Sequence, residues 1–101
     1  LPVKISNNLR LLMIQKSVTI TNKLGLHARA SSKLVTLSSR FASKIELSIN
    51  NQTVNSKSIM GVMMLGAAFG SEILLTVEGE DEIEAMKAII KLFENRFGEA
   101  E

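Results

Sequence analysis

The chain has 101 residues, 46% of them hydrophobic, with no cysteine, tryptophan or tyrosine and four phenylalanines. That length supplies one hydrophobic core, built mainly from Ile, Leu, Val, Met and Ala, and the lack of cysteine excludes disulfides and thiolate metal sites. Twelve basic residues face ten acidic ones for a net charge of +2; without a concentrated basic face or stacking aromatics, no nucleic-acid partner is expected.

The longest mostly apolar run, from Ile59 to Phe69, is broken by Gly61 and Gly66. It falls short of the roughly 20 residues a membrane-crossing helix needs, so no membrane insertion is expected. Residues 1–12 show no clean period and lack the apolar region and cleavage site of a secretory signal. They are expected to be an N-terminal extension or added leader before a single domain at 13–101, and a cytoplasmic protein is the default.

Regular patterns begin after Met13. The alternation from Ser17 to Thr21, with Val18 and Ile20 on one side, predicts a half-buried strand, and Asn22 to Gly25 supply turn chemistry. Past His27 the period changes: Ala30, Leu34, Leu37 and Phe41 form one helical stripe, leaving Ser31, Ser32, Lys33, Ser38 and Ser39 to face water. Ile45, Leu47 and Ile49 alternate in a second strand, and Asn50 and Asn51 turn the chain into a short third one at Gln52 to Asn55. A second helix is expected to start near Ser58 and to carry Ile59, Met60, Met63 and Met64. Glu72 to Glu78 returns to period two with Ile73, Leu75 and Val77 inward. The last helix reads most clearly, with Asp81 and Glu84 as a capping box, a stripe of Ile83, Met86, Ile90, Phe93 and Phe97, and Gly98 to end it. The order βαββαβα places the chain in the α+β class, an antiparallel sheet covered on one side.

The segment GLHARA at 25–30 holds the single histidine. If a helix begins near Ala28, the unpaired amides of Ala28, Arg29 and Ala30 carry about half a positive charge toward an anion attached to His27. Arg29 adds a planar, permanently charged fork suited to phosphoryl oxygens, and Gly25 permits a tight loop. A neutral imidazole is a competent nucleophile, so the arrangement suits a phosphoryl-accepting histidine. A histidine at a helix start is, in most proteins, a surface residue or a weak cap, and spacing alone leaves both readings open. One histidine and no cysteine cannot build a metal cluster or a Cys/His dyad. There is no G-x-S-x-G elbow or Gly-rich phosphate loop, so neither a metal nor a cofactor is expected.

GLHARA together with NSKSIMGVMML at 55–65 resembles the two signature segments of HPr, the histidine-containing phosphocarrier family of the bacterial phosphoenolpyruvate-dependent phosphotransferase system. The resemblance covers 13–101. It implies an open-faced sandwich, a four-stranded antiparallel sheet with three helices on one face. It further implies that His27 is phosphorylated at Nδ1 by enzyme I and passes the group to enzyme II components, including IIA, that Arg29 belongs to the active centre, and that the protein is a monomeric carrier and not an enzyme. Where the family usually has Pro after the arginine, this chain has Ala30, a good helix former that adds one amide donor.

Ser58, by position, is an N-cap; by the same resemblance it is a regulatory site phosphorylated by an HPr kinase/phosphorylase, beside a partner-binding patch of Ile59, Met60 and Met63. Lys23, Arg29, Lys33 and Lys57 are then placed to favour encounter with acidic partners. Three other readings are a nitrogen-related paralogue with a purely regulatory role, a small-molecule-binding regulatory α+β domain, and a structural interaction module.

Overall fold

Residues 13–101 are described by a computed structural model, and the extension or leader expected at 1–12 lies outside the described residues. Four strands, β1 (Ile14–Thr19), β2 (Lys44–Ile49), β3 (Gln52–Asn55) and β4 (Glu72–Glu78), form one antiparallel sheet in the order β1-β4-β2-β3. Three helices, α1 (Ala28–Ser38), α2 (Ile59–Leu65) and α3 (Glu82–Glu94), cover one face, and a single tighter turn at Arg96–Gly98 follows α3. This is the expected open-faced sandwich. Among the described residues no helix is long and apolar enough to cross a membrane.

Period-two alternation explains the sheet. Ile45 and Leu47 on β2 lie opposite Val77 and Leu75 on β4, and Val18 on β1 lies opposite Ile73. All six are buried, while the residues between them form the open face. β1 begins three residues earlier than the alternation indicates, because Ile14 continues the ladder opposite Val77; the polar run Gln15, Lys16, Ser17 hides that pairing. Asn50 turns β2 into β3 at φ 56°, a left-handed conformation that asparagine accepts.

The helical stripes hold in part. Ala30 and Leu34 are fully buried, but α1 stops at Ser38, so Phe41 packs on the core from the following loop. Ser31 and Ser38, expected in water, are buried instead. Ser31 Oγ donates to the Leu26 carbonyl at 3.0 Å, and Ser38 Oγ pairs with the buried Ser56 hydroxyl at 2.6 Å. Hydrogen bonding removes the penalty that a buried hydroxyl would otherwise carry.

The capping box at α3 does not form. Asp81 occupies the N-cap position but makes no side-chain cap bond. Its carboxylate reaches across the fold to accept from the Ala42 amide at 2.8 Å, the Ser43 amide at 2.9 Å and Ser43 Oγ at 2.5 Å. Glu84 is exposed, and the Gly79 amide donates to Glu82 Oε1 at 3.0 Å. Ile83, assigned to the stripe, is 59% exposed, and the buried positions are Ala85, Met86, Ile89 and Phe93. Phe97 is buried as well, but on the turn beyond the helix, edge-on to Phe93 with ring centroids 5.0 Å apart.

The Ser43 hydroxyl, then the Ala42 amide, hold the Asp81 carboxyl below its ordinary range, against the opposing effect of burial. A carboxyl lowered on folding contributes stability that is present above its ordinary value and is lost as pH falls through the folded one. Asp81→Asn is therefore expected to lower the Tm at neutral pH and to weaken the further decline below about pH 4. Thermal unfolding of both proteins across the acid range checks this.

Candidate functional site

The loop that presents His27 is assembled from β1 to α1. Gly25 adopts φ 68°, and a Cβ there would lie 2.6 Å from the Ala67 carbonyl oxygen. The next residue, Leu26, donates its amide to that same carbonyl at 3.0 Å, which closes the loop onto the segment after α2. The His27 amide donates to the Gly25 carbonyl at 2.9 Å. His27 thus arrives at the N-cap of α1 in extended conformation, φ −75° and ψ −179°, and its side chain makes no cap bond. The first intrahelical bond runs from the Ser31 amide to the His27 carbonyl at 2.8 Å. The amides of Ala28, Arg29 and Ala30 precede it, as they do in the first turn of any α-helix.

The ring is held from a direction the local sequence does not reveal. His27 Nε2 lies 2.5 Å from Glu99 Oε2, and both side chains are partly shielded, at 28% and 15% exposure. Glu99 Oε1 accepts from Asn22 Nδ2 at 2.9 Å, and the same amide nitrogen donates to the Gly25 carbonyl at 2.8 Å. Reversing the Asn22 amide would set its oxygen against two acceptors, so both contacts fix its orientation. The Asn22 hydrogen bond is the main influence lowering the Glu99 carboxyl; the His27 hydrogen bond and the charge of Lys33 add to it, and burial opposes it.

Of the residues singled out from sequence, Ala28 and Arg29 are exposed beside His27, and the three line one shallow depression with Lys23, Leu24, Glu99 and Glu101. Ala30 is fully buried, so its side chain belongs to the core and only its amide belongs to the helix start. Lys33 donates to the Phe97 carbonyl at 2.7 Å and Lys57 to the Phe41 carbonyl at 2.7 Å. These two lysines therefore tie down backbone besides contributing charge. On the neighbouring helix, Ser58 is the N-cap of α2, its Oγ accepting from the Gly61 amide at 3.1 Å. Val62 and Leu65 fill the core, leaving Ile59, Met60, Met63 and Met64 exposed at 40%, 68%, 44% and 73%. α2 packs beside α1, so the methionine surface and the His27 helix adjoin. Asn22 and Glu99 were not anticipated. They lie 77 positions apart; Asn22 reads from sequence only as the start of a turn, and Glu99 carries no local pattern that would single it out.

Comparison with known proteins identifies the family. A family model described as the PTS HPr component phosphorylation site matches residues 14–95. The phosphocarrier protein HPr of Cupriavidus necator is 55% identical over 89 residues, covering 88% of this chain and all of that protein. HPr of Xylella fastidiosa (strain Temecula1) is 54% identical over 87 residues, covering 86% of this chain and 98% of that protein. Among solved structures, HPr-C-His from Thermoanaerobacter tengcongensis superposes with a TM-score of 0.84 at 44% identity, over 87% of this chain and 99% of that one. Fold and relatives together define a small phosphocarrier rather than a catalyst. The chain belongs to the HPr family of the phosphotransferase system.

Gly25→Ala tests how the loop is built. The left-handed backbone and the 2.6 Å approach to the Ala67 carbonyl both oppose a side chain at this position. The substitution is expected to cost about 2 kcal/mol or more, measured as a lowered denaturant midpoint with an unchanged m-value.

Proposed function

We propose that the chain carries a phosphoryl group on Nδ1 of His27, received from phosphorylated enzyme I and delivered to IIA components of enzyme II for sugar uptake and its regulation. The observation that carries this reading is the seat of the single histidine, partly exposed at the N-cap of α1 and next to Arg29. A phosphoryl group on the ring brings negative charge to the positive end of the helix dipole, with the exposed guanidinium of Arg29 two residues on to meet it. The protein acts as a substrate of its partners, as a cytoplasmic monomer whose carrier domain spans 13–101 and follows an N-terminal extension or added leader at 1–12.

Docking uses Ile59, Met60 and Met63 of α2 together with the adjoining helix α1. Methionine suits such a surface because its flexible, polarisable side chain repacks against several partners. Ser58 stands at the edge of this patch and is the site of an HPr kinase/phosphorylase. A dianion there opposes an apolar contact by desolvation and repels acidic partner groups, while sitting acceptably at a helix start.

Incubation with enzyme I and phosphoenolpyruvate is expected to yield one acid-labile phosphate on the wild type and none on His27→Ala. Equal labelling of the two would end the carrier reading. Ser58→Asp is expected to slow phosphorylation by enzyme I about tenfold, ~1.4 kcal/mol, with an unchanged circular dichroism spectrum. An unaltered rate would remove the regulatory role of Ser58.

A further inference from the structure

We propose that Glu99 is a positioning residue for phosphoryl transfer, holding the neutral His27 ring with its hydrogen on Nε2 and so leaving the Nδ1 lone pair available to phosphorus. The proposal deepens the carrier reading and rests on it.

An ionised carboxylate only accepts hydrogen bonds, so the 2.5 Å contact between Glu99 Oε2 and His27 Nε2 requires the ring hydrogen to be on Nε2. In a neutral imidazole the other nitrogen, Nδ1, then keeps its lone pair. The other carboxylate oxygen is occupied by Asn22 Nδ2 at 2.9 Å, which keeps Glu99 from rotating freely. Its lowered carboxyl, caused chiefly by that Asn22 contact, keeps it ionised at cellular pH.

The segment carrying Glu99 is itself anchored on both sides. Before it, Phe97 is buried and its carbonyl accepts from Lys33 Nζ at 2.7 Å. After it, the Lys23 amide donates to the Glu101 carbonyl, and Lys23 Nζ lies 3.4 Å from the Glu101 carboxylate. Residues 97–101 thus cross the loop that presents His27 and meet it at Asn22, Lys23 and His27. A surface ion pair such as Lys23–Glu101 contributes little alone. The buried Phe97 and the two-acceptor Asn22 amide supply the constraint.

In the transfer step the Nδ1 lone pair forms the new N–P bond as the N–P bond of the donor's phosphohistidine breaks, leaving its electron pair on the donor ring. The hydrogen on Nε2 stays where it is. Positive charge develops on the His27 ring as Nδ1 gives up its pair, and the Glu99 carboxylate is already positioned to oppose it.

The test measures the ring before it measures the rate. Nitrogen-15 NMR of the whole chain, at a pH where His27 is neutral, is expected to show almost only the Nε2–H tautomer in wild type and a mixture in Glu99→Ala. Phosphorylation by enzyme I is expected to lose about tenfold or more in kcat in Glu99→Ala, with KM nearly unchanged. Glu99→Gln keeps an acceptor for Nε2–H but loses the charge, so it is expected to retain the tautomer and recover part of the rate. A wild-type tautomer ratio in Glu99→Ala, or a wild-type kcat, overturns the proposal. The tautomer can be read without any phosphoryl donor, so failure of the carrier reading, seen as no label on wild type, is told apart from failure of this one.

Discussion

One buried amide nitrogen secures the functional end of this molecule. Asn22 Nδ2 donates one hydrogen to the Gly25 carbonyl, within the loop leading to His27, and the other to Glu99, near the far end of the chain. The first contact shapes the loop; the second brings in the carboxylate that grips the imidazole. Because Asn22 is fully buried, an unused donor here would carry a desolvation penalty of about 1–3 kcal/mol, and the two partners are therefore coupled to folding. The sheet and helices supply the frame in which this happens, since Ile20, just beyond β1, and Phe97, just beyond α3, are both core residues.

Legibility from sequence followed the range of each interaction. The strands were readable because alternation is a local consequence of a half-buried sheet, and Ile73, Leu75 and Val77 lie inward as their spacing requires. Asn50, too, announced its left-handed turn. What failed was polar chemistry that ties a side chain to a group outside its own helix, whether near or far in sequence. Asp81 looked like a helix cap, yet the amides at 42 and 43 compete for its carboxylate and win. Ser31 and Ser38 looked solvated, yet each finds a buried hydrogen-bond partner. The functional end divides the same way: His27, Arg29 and Ser58 stood in short recognisable segments, while Glu99 acts 72 positions away from His27 through a contact that exists only in the folded chain.

The two candidate phosphorylation positions illustrate different uses of a helix start. At α1 the cap residue, His27, makes no side-chain cap bond, so its ring is committed to Glu99 and not to the helix. At α2 the cap residue, Ser58, spends its hydroxyl oxygen on the Gly61 amide, an ordinary structural role of about 1 kcal/mol. On the proposed reading, the first arrangement leaves a nucleophile in place for group transfer. The second places a hydroxyl beside an apolar surface, where the proposal has added charge act on association more than on the fold.

The central claim is that charge acquired by the His27 ring is received by the first turn of α1. The most direct measurement follows backbone amide resonances while the chain is phosphorylated by enzyme I and phosphoenolpyruvate. The account predicts the largest downfield proton shifts at Ala28, Arg29 and Ala30, with Gln15 and Thr76 on the open sheet face unmoved. Shifts at those three amides no larger than on the open face would contradict it.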